Sequence, residues 1–376
     1  MVTRRYWLAA IEDLLTRRSV LWISGVRRSG KTFLCHSIKD AEYFDCERPR
    51  TRMMLSDPES FLEGLGPRRI VLDEIHKLDD PAELLKLAAD YHPEVKVIAT
   101  GSSSIAATRK FKDTLAGRKF ELHLTPINSD DMSDFGRTAL DHRLLNGGLP
   151  PFFLAEGFPE MEAAEWLDAY WARDVLDLFK VEKRTSFLKF MELLFGNSGG
   201  IFEANSYAAP CEVGRSTIAS YLSVLEATLV ANVVKPYSTR KSSEIVSAPK
   251  VYAFDTGFVC YFKGWETLRN EDRGILWEHF VLNEMLARQN LRRILYWRDK
   301  RGHEVDFVLA GRGAPPTAIE CKWKGDQFDP RNLISFRGRY PEGPNLVVCH
   351  DAGGGYTRKY GNVEAKFTTP AGIVPA

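Results

Sequence analysis

The sequence predicts an α/β protein assembled from more than one domain, and three observations carry that expectation. Gly25-Val-Arg-Arg-Ser-Gly-Lys-Thr32 fits the pattern G-x-x-x-x-G-K-[ST] at every fixed position. It lies between an apolar, strand-like run, Val20-Leu-Trp-Ile-Ser24, and a helix-like run over residues 33–40. A second strand-like run, Arg69-Ile-Val-Leu72, ends in the adjacent carboxylates Asp73 and Glu74. The last third holds two strand-like runs around a Gly/Pro turn, one carrying Asp306 and the other Glu320-Cys-Lys322. At 376 residues the chain is too long for one ordinary core, so two or three domains are expected.

Composition is that of a soluble globular protein, with 44% hydrophobic and 27% charged residues and a formal net charge of +1. That balance argues neither for nor against nucleic acid, because a local basic patch can sit inside it. The cysteines (35, 46, 211, 260, 321 and 349) are scattered, with no C-x-x-C pair, which reads as reduced thiols. No apolar run approaches membrane-spanning length, so no membrane partner is expected and the cytoplasm is the expected location. Residues 1–18 are arginine-rich in the manner of a transit peptide, but Glu12 and Asp13 interrupt them. Trp7, Leu8, Ile11, Leu14 and Leu15 fall at helical spacing, which predicts an amphipathic helix leading into the first strand.

The first motif is a phosphate-binding loop. Small residues let successive backbone N–H groups curl around a β-phosphate, and a helix N-terminus adds positive dipole. Gly25, Arg28, Ser29, Gly30, Lys31, Thr32 and Phe33 are the expected nucleotide contacts. Lys31 would reach the β/γ-phosphate oxygens and the Thr32 hydroxyl would take one Mg²⁺ position, so ATP and Mg²⁺ are the expected cofactors. Asp73 would hold the metal through its water shell, with Glu74 as general base for the attacking water. The plain alternative is a buried strand that ends in acids at a turn.

A further strand, Val95-Lys-Val-Ile-Ala-Thr-Gly-Ser102, ends in small hydroxyl residues. Thr100 or Ser102 would contact the γ-phosphate, the sensor role in AAA-type ATPases. Arg118, in Leu115-Ala-Gly-Arg118, is a candidate finger or sensor for the γ-phosphate, against a plain surface arginine. Arg27 and Arg28 are weaker candidates for that role. Asp73-Glu-Ile-His76 also looks like the motif of DExH-type helicases. The short gap from Lys31 to Asp73, the lack of a downstream Q-x-x-G-R-x-x-R-like motif and the lack of a second strand–helix lobe argue against that class.

After about Pro126 the pattern turns helical, with an interruption at Gly147-Gly-Leu-Pro-Pro151. Trp166, Tyr170 and Trp171 fall at helical spacing and read as core. Arg173 would either reach back to the nucleotide or stay solvated. From Phe187 the order helix, short helix, helix, hairpin reads as a winged helix. Arg215, Arg240 and Lys241 would be its phosphate contacts if it meets DNA, the alternative being a packing or regulatory module.

In the last third, Trp277-Glu278-His279 opens a helix and is followed by His303-Glu-Val-Asp-Phe307 and Thr317-Ala-Ile-Glu-Cys-Lys322. Strand alternation places Glu320 and Lys322 on one face. Asp306 and Glu320 would hold Mg²⁺ with the Cys321 carbonyl, Lys322 would orient or activate water, and Glu278 would complete the metal shell. This is the PD-(D/E)XK nuclease pattern without its Pro-Asp dipeptide.

Taken together, the chain resembles a bacterial and archaeal family that joins an AAA-type P-loop ATPase domain to a C-terminal region of unassigned function. The markers are Gly25–Thr32, Leu72-Asp-Glu74, Thr100-Gly-Ser102, Leu115-Ala-Gly-Arg118, Gly147-Gly-Leu-Pro150, Trp171-Ala-Arg-Asp174, Pro249-Lys-Val-Tyr252, Phe254-Asp255, Glu304-Val-Asp-Phe307 and Glu320-Cys-Lys322. The resemblance implies a P-loop AAA-type domain over 1–125, a helical lid or linker over 126–184, a winged helix over 185–262 and a restriction-endonuclease-like α/β domain over 263–376. Two functions are carried forward. One is an ATPase coupled to DNA or RNA binding or cleavage, with a homo-oligomer if an arginine acts between subunits. The other is a nucleotide-dependent regulatory switch whose C-terminal fold only binds or packs.

Overall fold

The computed structural model describes residues 2–101, 114–176, 179, 181, 183–238, 248–288, 293–311 and 313–373. Ser102, Arg240 and Lys241 lie outside the described residues. The chain forms two compact units, one of residues 1–139, 149–182 and 227–230, the other of 140–148, 183–226 and 231–376. No helix among the described residues is long and apolar enough to cross a membrane.

The first unit is built on a parallel sheet of β1 (Val20–Ser24), β2 (Ala41–Asp45), β3 (Arg69–Asp73), β4 (Lys96–Thr100) and β5 (Lys119–His123). The order is β2-β3-β4-β1-β5, and every pair is parallel. Parallel strands need helical crossovers, which cover both faces and bury the strands throughout. β1 is accordingly buried at all its positions, and Trp22, Ile70, Leu72, Val97 and Ala99 join Leu84 and Leu85 of the helix Pro81–Tyr91 in one core. The registers Ile23↔Thr100 and Leu72↔Ala99 bring the carboxyl ends of β1, β3 and β4 to one edge of the sheet. Ligands of open α/β sheets bind beyond that edge.

The amphipathic N-terminal helix, Arg5–Arg17, packs Trp7, Ile11 and Leu15 inward, as their spacing requires. It is anchored by an ion pair with almost no exposure. Arg4 donates from Nε to Asp131 Oδ1 (2.9 Å) and from Nη2 to Oδ2 (2.5 Å). The Trp7 indole N–H (3.0 Å) and the Asn128 N–H (3.2 Å) also donate to Oδ2.

The second unit holds a mixed sheet of β6 (Gly200–Ile201), β7 (Ala231–Pro236), β8 (Lys250–Ala253), β9 (Arg293–Arg298), β10 (Glu304–Gly311), β11 (Ala314–Cys321), β12 (Asn345–Val348), β13 (Tyr356–Tyr360) and β14 (Val363–Thr368). Among the described residues its order is β13-β14-β12-β11-β10-β9-β7-β8-β6. The helices Arg184–Gly196, Ala204–Ala208 and Arg215–Ala227 precede an antiparallel ribbon, β7–β8. That ribbon continues into the C-terminal sheet through parallel pairing of β7 with β9. The ribbon and the carboxylate strands therefore share one sheet. The Gly147–Gly148 turn is held by Asp255, which accepts from Gly148 N (2.6 Å) and caps the helix Thr256–Lys263 through Gly257 N (2.9 Å). A Cβ on Gly147 would lie 2.0 Å from Asp255 Oδ1, so only glycine fits there.

Breaking a buried pair from one side costs far more than removing an exposed one. Arg4→Met, which strands the Asp131 carboxylate, is expected to lower stability by about 3–5 kcal/mol in urea unfolding. Arg17→Ala, which removes the exposed Arg17–Asp13 pair, should cost about 1 kcal/mol or less.

Candidate functional site

The edge beyond β1, β3 and β4 carries the phosphate loop. The chain leaves β1 through Gly25 (φ +156°), passes Arg28 in the left-handed region (φ +63°) and enters the helix Lys31–His36 from Gly30 (φ +93°). A Cβ on Gly25 would come within 2.7 Å of Leu124 O, so a side chain there would displace the neighbouring strand exit. Two loop carbonyls are drawn outward by side chains remote in sequence. Arg4 Nη1 donates to Ser29 O (3.0 Å), and Trp166 Nε1 donates to Arg27 O (3.0 Å). In a trans peptide the C=O and the next N–H point in opposite directions. The N–H groups of Arg28 and Gly30 are thereby turned away from these donors.

Lys31 Nζ donates to Gly25 O (2.8 Å) and Val26 O (3.2 Å), so the loop's own carbonyls hold the ammonium. Burial pulls its pKa below the ordinary lysine value, against the opposing charges of Glu74, Asp174 and Asp73. Ser29 Oγ is buried without a hydrogen-bond partner among the described residues. A buried orphan hydroxyl inside a loop closed on its own lysine fits a polar ligand such as phosphate.

Asp73 is buried, and both of its oxygens are engaged. Tyr43 donates to Oδ2 (2.5 Å) and the Thr100 hydroxyl donates to Oδ1 in a short bond. The same hydroxyl accepts from Glu74 N (3.1 Å). The structure therefore places Thr100, itself fully buried, between the two acidic residues as their clamp. Glu74 sits at φ +54°, a strained conformation for a residue with a side chain, and such strain collects at functional sites. Its Oε2 lies 3.1 Å from His76 Nδ1. Burial pulls the Glu74 carboxyl upward, but the His76 contact and the Lys31 charge together hold it below the usual glutamate value.

Gly25, Gly30, Lys31, Thr32, Phe33 and Glu74 line one cleft of about 990 Å³, and Arg28 reaches its wall while pairing with Glu165 (2.8 Å). Phe135, Pro150, Pro151 and Leu154 supply an apolar side. The aromatic run placed in the core from sequence does more than pack. Trp166 stacks on Tyr170 (centroids 5.3 Å apart), and the next turn, Tyr170–Leu176, is π-helical. Single π turns often mark functional positions. This one sets Asp174 against Arg27 (3.1 Å) and leaves Arg173 exposed on the cleft wall with no side-chain partner among the described residues. Arg118 is instead tied to Asp90 by Nε (2.7 and 3.0 Å) and is not among the described residues lining the cleft.

The second constellation lies on the sheet of the other unit. The register Phe307↔Ile319 puts Asp306 directly across from Glu320. Asp306 Oδ2 accepts from Cys321 N (2.7 Å). Lys322 Nζ lies 2.8 Å from Glu320 Oε2 and 3.5 Å from Asp306 Oδ2. Glu320 is fully buried; its Oε2 faces that ammonium, and its Oε1 has no hydrogen-bond partner among the described residues. Burial, then the Asp306 charge, pushes its carboxyl up to about 8. Burial also raises Asp306, against the Lys322 charge.

Glu278, on the helix Asn270–Ala287, is held by residues that the sequence did not single out as site residues. Lys250 Nζ bonds Glu278 Oε1 (2.7 Å) and Glu304 Oε1 (2.9 Å), and Tyr252 OH donates to Glu278 Oε1 (2.5 Å). The available signal was a lysine inside an otherwise apolar strand, Lys250-Val-Tyr-Ala253. Among the described residues no three carboxylate, imidazole or thiolate groups converge tightly enough to hold a metal by themselves. The donor set here is two facing carboxylates, one with its Oε1 unpartnered among the described residues, which suits a hard divalent cation completed by water. Of the basic residues expected on the winged helix, Arg215 is exposed at the start of the helix Arg215–Ala227.

Residues 17–132 match the family described as AAA domain. Residues 137–269 and 273–363 match two families described as domains of unknown function, DUF8612 and DUF4143. Uncharacterised proteins of Mycobacterium tuberculosis (strain ATCC 25618 / H37Rv) and Mycobacterium bovis (strain ATCC BAA-935 / AF2122/97) are each 28% identical over 328 residues, covering 84% of this chain and 73% of theirs. An uncharacterised protein of Methanocaldococcus jannaschii is 22% identical over 336 residues, covering 80% of this chain and 74% of its own. Among solved structures, a P-loop NTPase domain of a sigma-54 transport activator from E. coli is 14% identical with a TM-score of 0.21, covering 31% of this chain and 93% of its own. The Bacillus subtilis DNA clamp loader delta protein is 12% identical with a TM-score of 0.26, covering 58% of this chain and 88% of its own. The stretch of the N-terminal unit similar to the AAA domain family thus contains the phosphate loop Gly25–Thr32 and the Asp73–Glu74 pair.

Proposed function

We propose that this chain binds and hydrolyses ATP with Mg²⁺ and couples its nucleotide state to nucleic-acid binding or cleavage at Asp306, Glu320 and Lys322. The observation that carries the first half is the meeting of the phosphate loop with Glu74 in one cleft. Lys31 exchanges the carbonyls of Gly25 and Val26 for phosphate oxygens when nucleotide enters. Thr32 and Asp73 would hold the metal, Asp73 through water because Tyr43 and Thr100 already occupy its oxygens. Bound Mg²⁺ offsets the charge of the phosphates and orients them. Glu74, kept ionised below the usual range, accepts the proton of the attacking water. Arg173, on the cleft wall, supplies positive charge against the negative charge on the γ-phosphate oxygens in the transition state. Arg118, held by Asp90, is left to act on a neighbouring copy in a homo-oligomer.

For the second half, Asp306 and Glu320 would hold a divalent cation, and Lys322 would orient or activate water for attack on a phosphodiester. The support is the fully buried Glu320 carboxyl facing Asp306, with Oε1 unpartnered among the described residues. Lys322 also favours the switch reading, because its ammonium already neutralises both carboxylates without a metal.

Lys31→Ala is expected to abolish ATP binding in calorimetry. Glu74→Gln should bind normally and turn over about 100-fold slower or worse in phosphate release. Arg173→Ala should lower kcat by about 100-fold with little change in KM, and a kcat unchanged by that substitution removes Arg173 from the mechanism. Arg118→Ala matters only if a second copy is present, which a dependence of kcat on protein concentration reveals. Single- and double-stranded DNA and RNA, incubated with Mg²⁺ or Mn²⁺ with and without ATP, test the C-terminal site. Cleavage by the wild type and none by Glu320→Ala, with equal ATPase rates, is the expected result. No cleavage under any condition, with ATPase intact, selects the switch.

A further inference from the structure

Lysine is seldom buried, and when it is, it is paired. Lys250 is 3% exposed in β8 and bridges carboxylates from two different elements, Glu278 on a helix and Glu304 on β10. Tyr252 lies two residues along the same strand and so on the same face, and it hydrogen-bonds the same oxygen, Glu278 Oε1. Glu278 Oε2 has no partner among the described residues, so one oxygen is pinned by two donors and the other is left open. Glu278 is close enough for its charge to act on both Asp306 and Glu320. Glu278, Glu304, Asp306 and Glu320 gather here with Lys250, Lys322 and Arg298, the last 3.5 Å from Glu304.

From this geometry we infer that Lys250 and Tyr252 are positioning residues that fix Glu278 beside a divalent cation held by Asp306 and Glu320, with Glu278 Oε2 as acceptor for the cation's water shell. The inference rests on the metal-site reading given under the proposed function and adds to it the residues that orient its third carboxylate. A carboxylate near a metal is itself oriented by hydrogen bonds, and loss of such partners costs 10–100-fold in metal affinity in general. Without Lys250, Glu278 would lose the cation that ties it to Glu304 and keep only the Tyr252 hydroxyl as anchor. Without the Tyr252 hydroxyl, Glu278 keeps its charge but loses one of its two anchors.

The test is Mn²⁺ binding by calorimetry on the full chain without nucleotide, with thermal melting of each variant. The wild type should bind and Glu320→Ala should not. Lys250→Met should weaken binding by about tenfold or more. Tyr252→Phe, which keeps the ring packed, should weaken it several-fold with an unchanged melting curve. Neither substitution should weaken binding further in a Glu278→Gln background, because both act through that carboxylate. If Tyr252→Phe binds like the wild type, or its loss adds in full to that of Glu278→Gln, the positioning role is overturned while the metal site stands. If the wild type binds no Mn²⁺ that Glu320→Ala removes, the metal site fails and this inference fails with it.

Discussion

The N-terminal unit depends on one buried ion pair, Arg4 with Asp131. A single guanidinium joins the start of the first helix, the carboxylate of Asp131 and the carbonyl of Ser29 in the phosphate loop. Two charges out of water contribute little net stability compared with apolar residues of the same volume. What they add is direction. The fork of Arg4 admits few geometries, so the Ser29 peptide is fixed in orientation before any ligand arrives. Trp166 does the same to the Arg27 peptide with a neutral donor. A loop whose N–H groups are aimed in advance loses less entropy on binding an anion.

Much of the candidate chemistry was legible because it is local. The phosphate loop, the Asp73–Glu74 pair and the Asp306, Glu320 and Lys322 set are each defined by spacing within one turn or one hairpin, where backbone geometry alone places the side chains. The supporting residues were not legible, because their partners are far away in sequence. Arg4 reaches Asp131 across 127 positions and Trp166 reaches Arg27 across 139. From sequence, Arg4 was one of several arginines near the N-terminus and Trp166 a core residue. Trp166 is buried, yet it also hydrogen-bonds the loop. Thr100 shows the same limit. Its place at the end of β4 was readable, but not that its hydroxyl would bridge Asp73 and Glu74.

The second sheet explains why Lys250 and Tyr252 were not read from sequence as site residues. A ribbon read from sequence as a basic wing is also a run of strands inside a larger sheet, through a single parallel pairing with β9. That pairing brings the polar face of β8 beside the helix bearing Glu278 and the strand bearing Glu304. Periodicity shows which residues share a face of one strand but not which strands become neighbours.

The division of the chain bears on how the protein is made. The chain passes between its two units at residues 139, 148, 182, 226 and 230, so neither is a continuous stretch of sequence. Thr228 and Val230 complete the wall of the nucleotide cleft, and Tyr170 is hydrogen-bonded to Thr228 (2.7 Å). Domains usually fold in order as they leave the ribosome. Here the earlier unit cannot finish its cleft until residue 230 has been synthesised, by which point the segments 140–148 and 183–226 of the later unit have already been made. Nucleotide binding is therefore acquired late in translation, and a nascent chain arrested before that point would carry the complete phosphate-loop motif with an unfinished cleft wall.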